Sequence, residues 1–167
     1  MQVLKGVLAG HVEEDVNDVN APAISRDRGI AVSETSSTQA RDFTDLVRVS
    51  VVSGGERTRV VGTTLGRRHR PHLLEAWGSR FNIQVERHWA VFRYEDRPGM
   101  LGRVGTELGN RGINIVSAAV GRRMDEDDEN GGAVMIVTAD SRVPQEVVDI
   151  IVSTDGFAAG RTVSLQA

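Results

Sequence analysis

Tyr94, Asp96 and Asn114 are the side chains whose types and spacing best suit binding of a small polar molecule. An aspartate accepts hydrogen bonds from an ammonium, while a phenol and an amide can donate or accept. They lie on Tyr94-Glu95-Asp96-Arg97-Pro98-Gly99 and on Gly112-Ile113-Asn114-Ile115. The pattern predicts a strand into a turn, a helix opened by Pro98 and closed near Gly112, and a second strand carrying Asn114. Gly99 permits close approach to the backbone. The first-turn N–H groups have no intrahelical partner and carry partial positive charge, which suits a carboxylate. Together these groups are expected to share one concave spot suited to a small amino acid. The spacing equally allows an ordinary strand–loop–helix in which Asp96 helps to cap the helix.

Other clusters offer less. Arg67, Arg68, Arg70, His72 and Arg80 could form an anion site, since arginine grips phosphate by its fork geometry. A solvated basic loop accounts for them as well, and Gln84 stands where another basic residue would strengthen the site. His11, His69, His72 and His88 lack metal-ligand spacing, so no metal is expected. The acidic run Asp125–Glu129 lacks the glycine and distal glutamate of a calcium loop and reads as solvated. Gly99, Gly102, Gly105 and Gly109 fall within a helical pattern, which suggests helix packing rather than a dinucleotide turn. Trp77 and Trp89 read as core or interface residues. No catalytic constellation emerges.

The elements that would position these groups follow from periodicity. Val3, Leu4, Val7 and Leu8 give one helical face, and Val12, Val16 and Val19 continue the period. A short helix is expected from Pro22 to Arg28 with Gly29 as its stop, then an extended stretch at 30–33 and a Ser/Thr-rich loop at 34–42. Val47, Val49 and Val51 alternate with polar residues as in a half-buried strand. Ser53-Gly54-Gly55-Glu56 marks a hairpin leading to a return strand ending near Leu65. Two more strands are read at 72–77 and 81–85, after a basic loop at 67–71. Beyond residue 86 the order is strand 89–94, helix 98–110, strand 113–122, acidic loop 124–130, strand 132–138, helix 144–152 and strand 161–165. This is the split βαββαβ order, with both helices on one sheet face and the other face free for solvent or a partner. The fold class is α+β: a partial α/β domain over residues 1–86, then a ferredoxin-like domain over 87–167. The strands of the first half lack an evident first partner, so a truncated domain is expected.

Composition narrows the function classes. The chain has 167 residues, 40% hydrophobic, with a formal charge of −3. Neither a nucleic acid nor a membrane is an expected partner. The absence of cysteine excludes disulfides and thiol catalysis. No signal peptide is evident, and a cytoplasmic location is expected.

The residues around the candidate site resemble a known family. Glu95-Asp96-Arg97-Pro98-Gly99, Gly102, Leu108-Gly109 and Gly112-Ile113-Asn114-Ile115 resemble an ACT domain, the small amino-acid-sensing module. Val19-Asn20-Ala21-Pro22-Ala23, Arg28-Gly29-Ile30, Gly62-Thr63 and Gly78 extend the resemblance to the C-terminal regulatory part of long-form D-3-phosphoglycerate dehydrogenases. There an intervening, allosteric substrate-binding domain precedes the ACT domain, which would correspond to residues 1–86. The resemblance implies that L-serine, or a similar small amino acid, binds where two ACT domains pair. Tyr94 and Asp96, beside Pro98 and Gly99, would come from one subunit and Asn114 from the other. Short-form members carry His and Asn where this chain has Tyr94 and Asp96. The resemblance also implies a homo-oligomer that passes feedback inhibition to dehydrogenase catalytic domains outside this chain. NAD belongs to those domains, and the chain alone is expected to be no enzyme and to hold no cofactor. A free-standing amino-acid-binding regulator and the β portion of an iron–sulfur L-serine dehydratase are the alternative readings.

Overall fold

The computed structural model describes residues 2–37, 45–122 and 132–165. Two compact units divide after Arg41. The expected acidic loop at 124–130 and most of the Ser/Thr-rich loop lie outside the described residues.

The first unit holds two short helices, α1 (Gln2–Leu8) and α2 (Ala21–Asp27). Leu4, Leu8 and Ala21 form its small buried cluster. The helical period of Val12, Val16 and Val19 does not become a helix. Asn17 and Asn20 divert the backbone there: Asn17 Oδ1 accepts from the N–H groups of Val19 and Asn20, and Asn20 Oδ1 accepts from that of Asn17. Such side-chain bonds compete with a helical ladder. Helix α2 stops as expected: Gly29 N–H donates to Arg26 and Ile30 N–H to Ser25, the paired bonds of a Schellman end. Residues 30–33 form no strand.

The second unit contains two antiparallel sheets. The first is a meander of β1 (Val47–Ser53), β2 (Glu56–Leu65), β3 (Arg70–Ala76) and β4 (Ser79–Gln84). The Gly54-Gly55 hairpin forms as expected, both residues having positive φ. Strand β1, expected to be half-buried, is an edge strand exposed almost throughout, with only Val49 half-covered. Alternation shows which faces differ, not whether anything packs on either. Trp77 is exposed at the tip of the β3–β4 hairpin.

The second sheet comprises β5 (His88–Glu95), β6 (Ile115–Arg122), β7 (Gly132–Ala139) and β8 (Phe157–Ser164), in the order β6-β7-β5-β8. Helices α3 (Met100–Gly109) and α4 (Gln145–Val152) complete a βαββαβ unit. Met100, Val104 and Leu108 of α3 and Val147, Val148 and Ile151 of α4 pack on Ala90, Phe92, Met135 and Val137. Strand β8 begins four residues earlier than expected, because Ala158-Ala159-Gly160 carries too little side chain to signal a strand.

The opposite face of this sheet was expected to be free for solvent or a partner. It is covered from within the chain: Trp89, Val91, Val134 and Ile136 pack against Leu73, Ala76, Phe81 and Ile83 of the first sheet. The change of pattern near residue 86 therefore separates two sheets that share a core.

The two sheets approach closely at Gly121. A Cβ there would stand 2.7 Å from both the Arg80 carbonyl oxygen and the Phe81 ring. The glycines of α3 behave oppositely: a Cβ at Gly102, Gly105 or Gly109 meets nothing within 4 Å. The expected packing role for them is therefore not fulfilled among the described residues. Gly121→Val is expected to cost about 1–3 kcal/mol by overpacking. Gly105→Ala should stabilise by about 0.5–1 kcal/mol by removing a flexible mid-helix residue. Urea midpoints at constant slope check both.

Candidate functional site

The segment joining β5 to α3 is positioned by what it connects. Tyr94 ends the buried part of β5, its ring in the core beside Phe157, with centroids 5.9 Å apart. It is thus first a core residue, and only its hydroxyl end can serve a ligand. The only tyrosine in the chain, it has its pKa raised above 10.0 by burial and then by the Asp96 charge, while Arg122 opposes the shift. The phenol is therefore within electrostatic reach of both charged groups.

Pro98 does not open α3. Gly99 is the N-cap, with φ +91°, and its carbonyl accepts the first helical bond from Arg103 at 3.0 Å. A side chain would be strained in that left-handed backbone, although its Cβ would meet nothing within 4 Å. Pro98 precedes the cap and sits in the turn.

Asp96 neither caps the helix nor stands open. Its Oδ2 lies 2.5 Å from Arg122 Nε, at the end of β6. Sequence reasoning missed Arg122. A charge partner 26 residues away leaves no periodic signal, and only the pairing of β6 with β7, and of β7 with β5, brings the two together.

Arg97 was also missed. It donates to Asp155 Oδ2 at 2.6 Å, and a Cβ at Gly156 would fall 2.4 Å from its guanidinium. The hydrogen bond from Arg97 holds the Asp155 carboxyl below its ordinary value. Arg103 donates to the Asp155 carbonyl at 2.8 Å, and Glu95 N–H donates to Gly156 at 2.8 Å. Both ends of the Asp96 segment are thus braced against the turn before β8.

Asn114 is not brought to this spot. It is exposed, and its carbonyl accepts from the N–H of Asp140, just past the end of β7. A bulge between Ile115 and Ser117 is held by Thr138, whose Oγ1 accepts the Ser117 N–H at 3.1 Å. Asn114 precedes the start of β6 and Arg122 ends it. At about 3.3 Å per residue, Asn114 and Arg122 are about 26 Å apart along the chain. Within one chain the single concave spot expected from spacing therefore does not exist. Tyr94, Asp96 and Gly99 lie at one end of the sheet and Asn114 at the other.

The basic cluster is also divided. Arg67 and Arg68 occupy the tight β2–β3 turn, while Arg70 and His72 lie on β3. Arg70 donates to Gln84 at 3.2 Å, and the His72 ring lies 3.0 Å from the Arg70 carbonyl oxygen. Arg80 pairs in register with Glu75, five residues along β3 from Arg70, or about 16 Å away. An anion at the turn would have to do without it. No cluster of three or more potential metal ligands occurs among the described residues. No helix among them is long and apolar enough to cross a membrane.

The βαββαβ unit, with its glycine-capped first helix, is an ACT domain, and the model of that family matches residues 88–156. A second family model, the D-3-phosphoglycerate dehydrogenase intervening domain, matches residues 1–76. The chain fits the C-terminal regulatory region of D-3-phosphoglycerate dehydrogenase, an intervening domain followed by an ACT domain. It is 32% identical over 154 residues to the D-3-phosphoglycerate dehydrogenase of Mycobacterium leprae, covering 92% of this chain and 28% of that protein. The Methanocaldococcus jannaschii enzyme of the same name is 35% identical over 148 residues, covering 89% and 27%. That of Archaeoglobus fulgidus is 29% identical over 163 residues, covering 98% and 30%. The chain thus spans less than a third of the length of the curated relatives it matches.

Titration of the lone tyrosine reads the site directly. Its phenolate midpoint, followed by ultraviolet absorbance, is expected above 10.0. Asp96→Asn should lower it, and Arg122→Gln should raise it further. Because the folded chain favours the neutral phenol, this contribution to stability holds below pH 10.0 and is lost as pH rises through the higher folded midpoint.

Proposed function

We propose that residues 88–165 bind L-serine, or a similar small amino acid, in a half-site completed by a second copy of the chain. The observation that carries this reading is the separation of Asn114 from Asp96 along β6. Strand β6 is an edge strand of its sheet, and Val116 and Val120 on it are 53% and 45% exposed. If two copies pair antiparallel along β6, the start of one strand lies beside the end of the other. The partner copy's Asn114 then arrives where Arg122 meets Asp96. One arrangement thereby explains an exposed apolar edge and a split constellation.

In the half-site Asp96 accepts from the ligand's ammonium. The first-turn N–H groups behind Gly99 face its carboxylate, and Tyr94 and the second copy's Asn114 bond its remaining polar atoms. The chain performs no oxidation itself. The bound ligand favours one arrangement of the paired domains over another, and this difference is passed to NAD-dependent dehydrogenase domains outside the chain as feedback inhibition. The intervening-domain match supports this reading over a free-standing regulator or an L-serine dehydratase.

Calorimetry with L-serine on the whole chain tests it, together with sedimentation. Saturable heat and a shift toward dimer are expected. Asn114→Ala should weaken binding about ten- to a hundredfold, the worth of one hydrogen bond to a charged ligand. Absence of heat, or full affinity in Asn114→Ala, contradicts the reading.

A further inference from the structure

Arg122 occupies the position that the preceding reading gives to the ligand's ammonium. Its Nε lies 2.5 Å from Asp96 Oδ2, with the Arg122 side chain 80% exposed and that of Asp96 26% exposed. The phenol of Tyr94 senses both charges, so carboxylate, guanidinium and phenol form one local group. We propose that Arg122 is an intramolecular stand-in for the ligand's cation and the residue that selects for amino acids at this site. The inference rests on the reading of the half-site above.

The argument is electrostatic. An aspartate with a partly buried side chain, beside a core phenol, is better neutralised than bare. An exposed guanidinium does this through a pair of small net worth, which a compact ammonium can replace. Replacement requires a cation. A ligand of the same shape with a hydroxyl in place of the ammonium would leave Asp96 uncompensated if it displaced Arg122. With Arg122 in place, that ligand meets a carboxylate whose Oδ2 is engaged and whose charge is already compensated, so it gains little there. The exchange thus excludes α-hydroxy acids such as glycerate without a dedicated steric barrier. Arg122 can leave because it terminates an edge strand, and its departure clears the place where antiparallel pairing of β6 brings the second copy's Asn114. Discrimination and pairing are thereby linked at one residue.

Calorimetry on the whole chain with L-serine and with L-glycerate, for the wild type and Arg122→Gln, tests the proposal. Nitrogen-15 spectra of the arginine Nε–H groups accompany it. Arg122→Gln is expected to bind L-serine about two- to fivefold tighter, because the internal competitor is gone. In the wild type the Arg122 signal should shift on saturation with L-serine and stay unmoved with L-glycerate. Equal or weaker serine binding by Arg122→Gln overturns the stand-in while leaving the half-site intact. So does an Arg122 signal that is unmoved while serine binds. No heat with serine in either chain refutes the half-site and the stand-in together. The Arg122 side chain is 80% exposed, and circular dichroism of the variant checks that it folds.

Discussion

Strands β5 and β7 are covered on both faces, by α3 and α4 on one and by the first sheet on the other. Arg93 and Glu95 apart, their side chains are almost all buried, and both strands lie at the centre of the sheet. Burial of each large apolar side chain is worth about 1.5–3 kcal/mol, so this arrangement is strongly specified. The remaining strands, β6 and β8, are left as edges. From that follow the exposed β6 edge and the location of the Asp96 segment at one end of the sheet with Asn114 at the other. The close approach at Gly121, one residue before Arg122, sets the first sheet against the same edge strand.

Charge at the site is arranged by position more than by strength. Arg97, Arg103 and Asp155 brace the β5–α3 segment from one side, and Arg122 meets Asp96 from the other. These pairs are exposed, and each contributes little to stability. Their effect is geometric: they hold a glycine-capped helix start and one carboxylate in a defined relation. Such an arrangement is ordered yet accessible to solvent.

Much of the fold was legible because local pattern and tertiary role agree after residue 86. In α4 the apolar repeat of Val147, Val148 and Ile151 is the buried face, and in α3 Val104 and Leu108 are buried, but Met100 rather than Leu101 completes that face. The Gly54-Gly55 and Gly29 signals mark the turn and the helix end that form. Three readings failed where a local rule met a competing interaction. The 12–19 period lost to asparagine–backbone bonds, and the helix start moved from Pro98 to Gly99 because the left-handed turn needs glycine. Strand β1 kept its alternation with almost nothing packed on it. One available signal went unused: Ala133-Val134-Met135-Ile136-Val137 is an unbroken apolar run, the mark of a strand buried on both faces.

By itself the sequence determined the order of the elements, the composition of the helical faces and the identity of the polar residues flanking α3. These depend on periodicity and turn chemistry, which act over a few residues. Only the tertiary structure decided that Tyr94 is core, that Asp96 meets Arg122 and that Asn114 lies a full strand length away. Those relations arise from strand pairing across 26 residues or more. Side-chain period is blind to which strand ends up beside which, because neighbours in a sheet are set by the core they share and not by their distance along the chain.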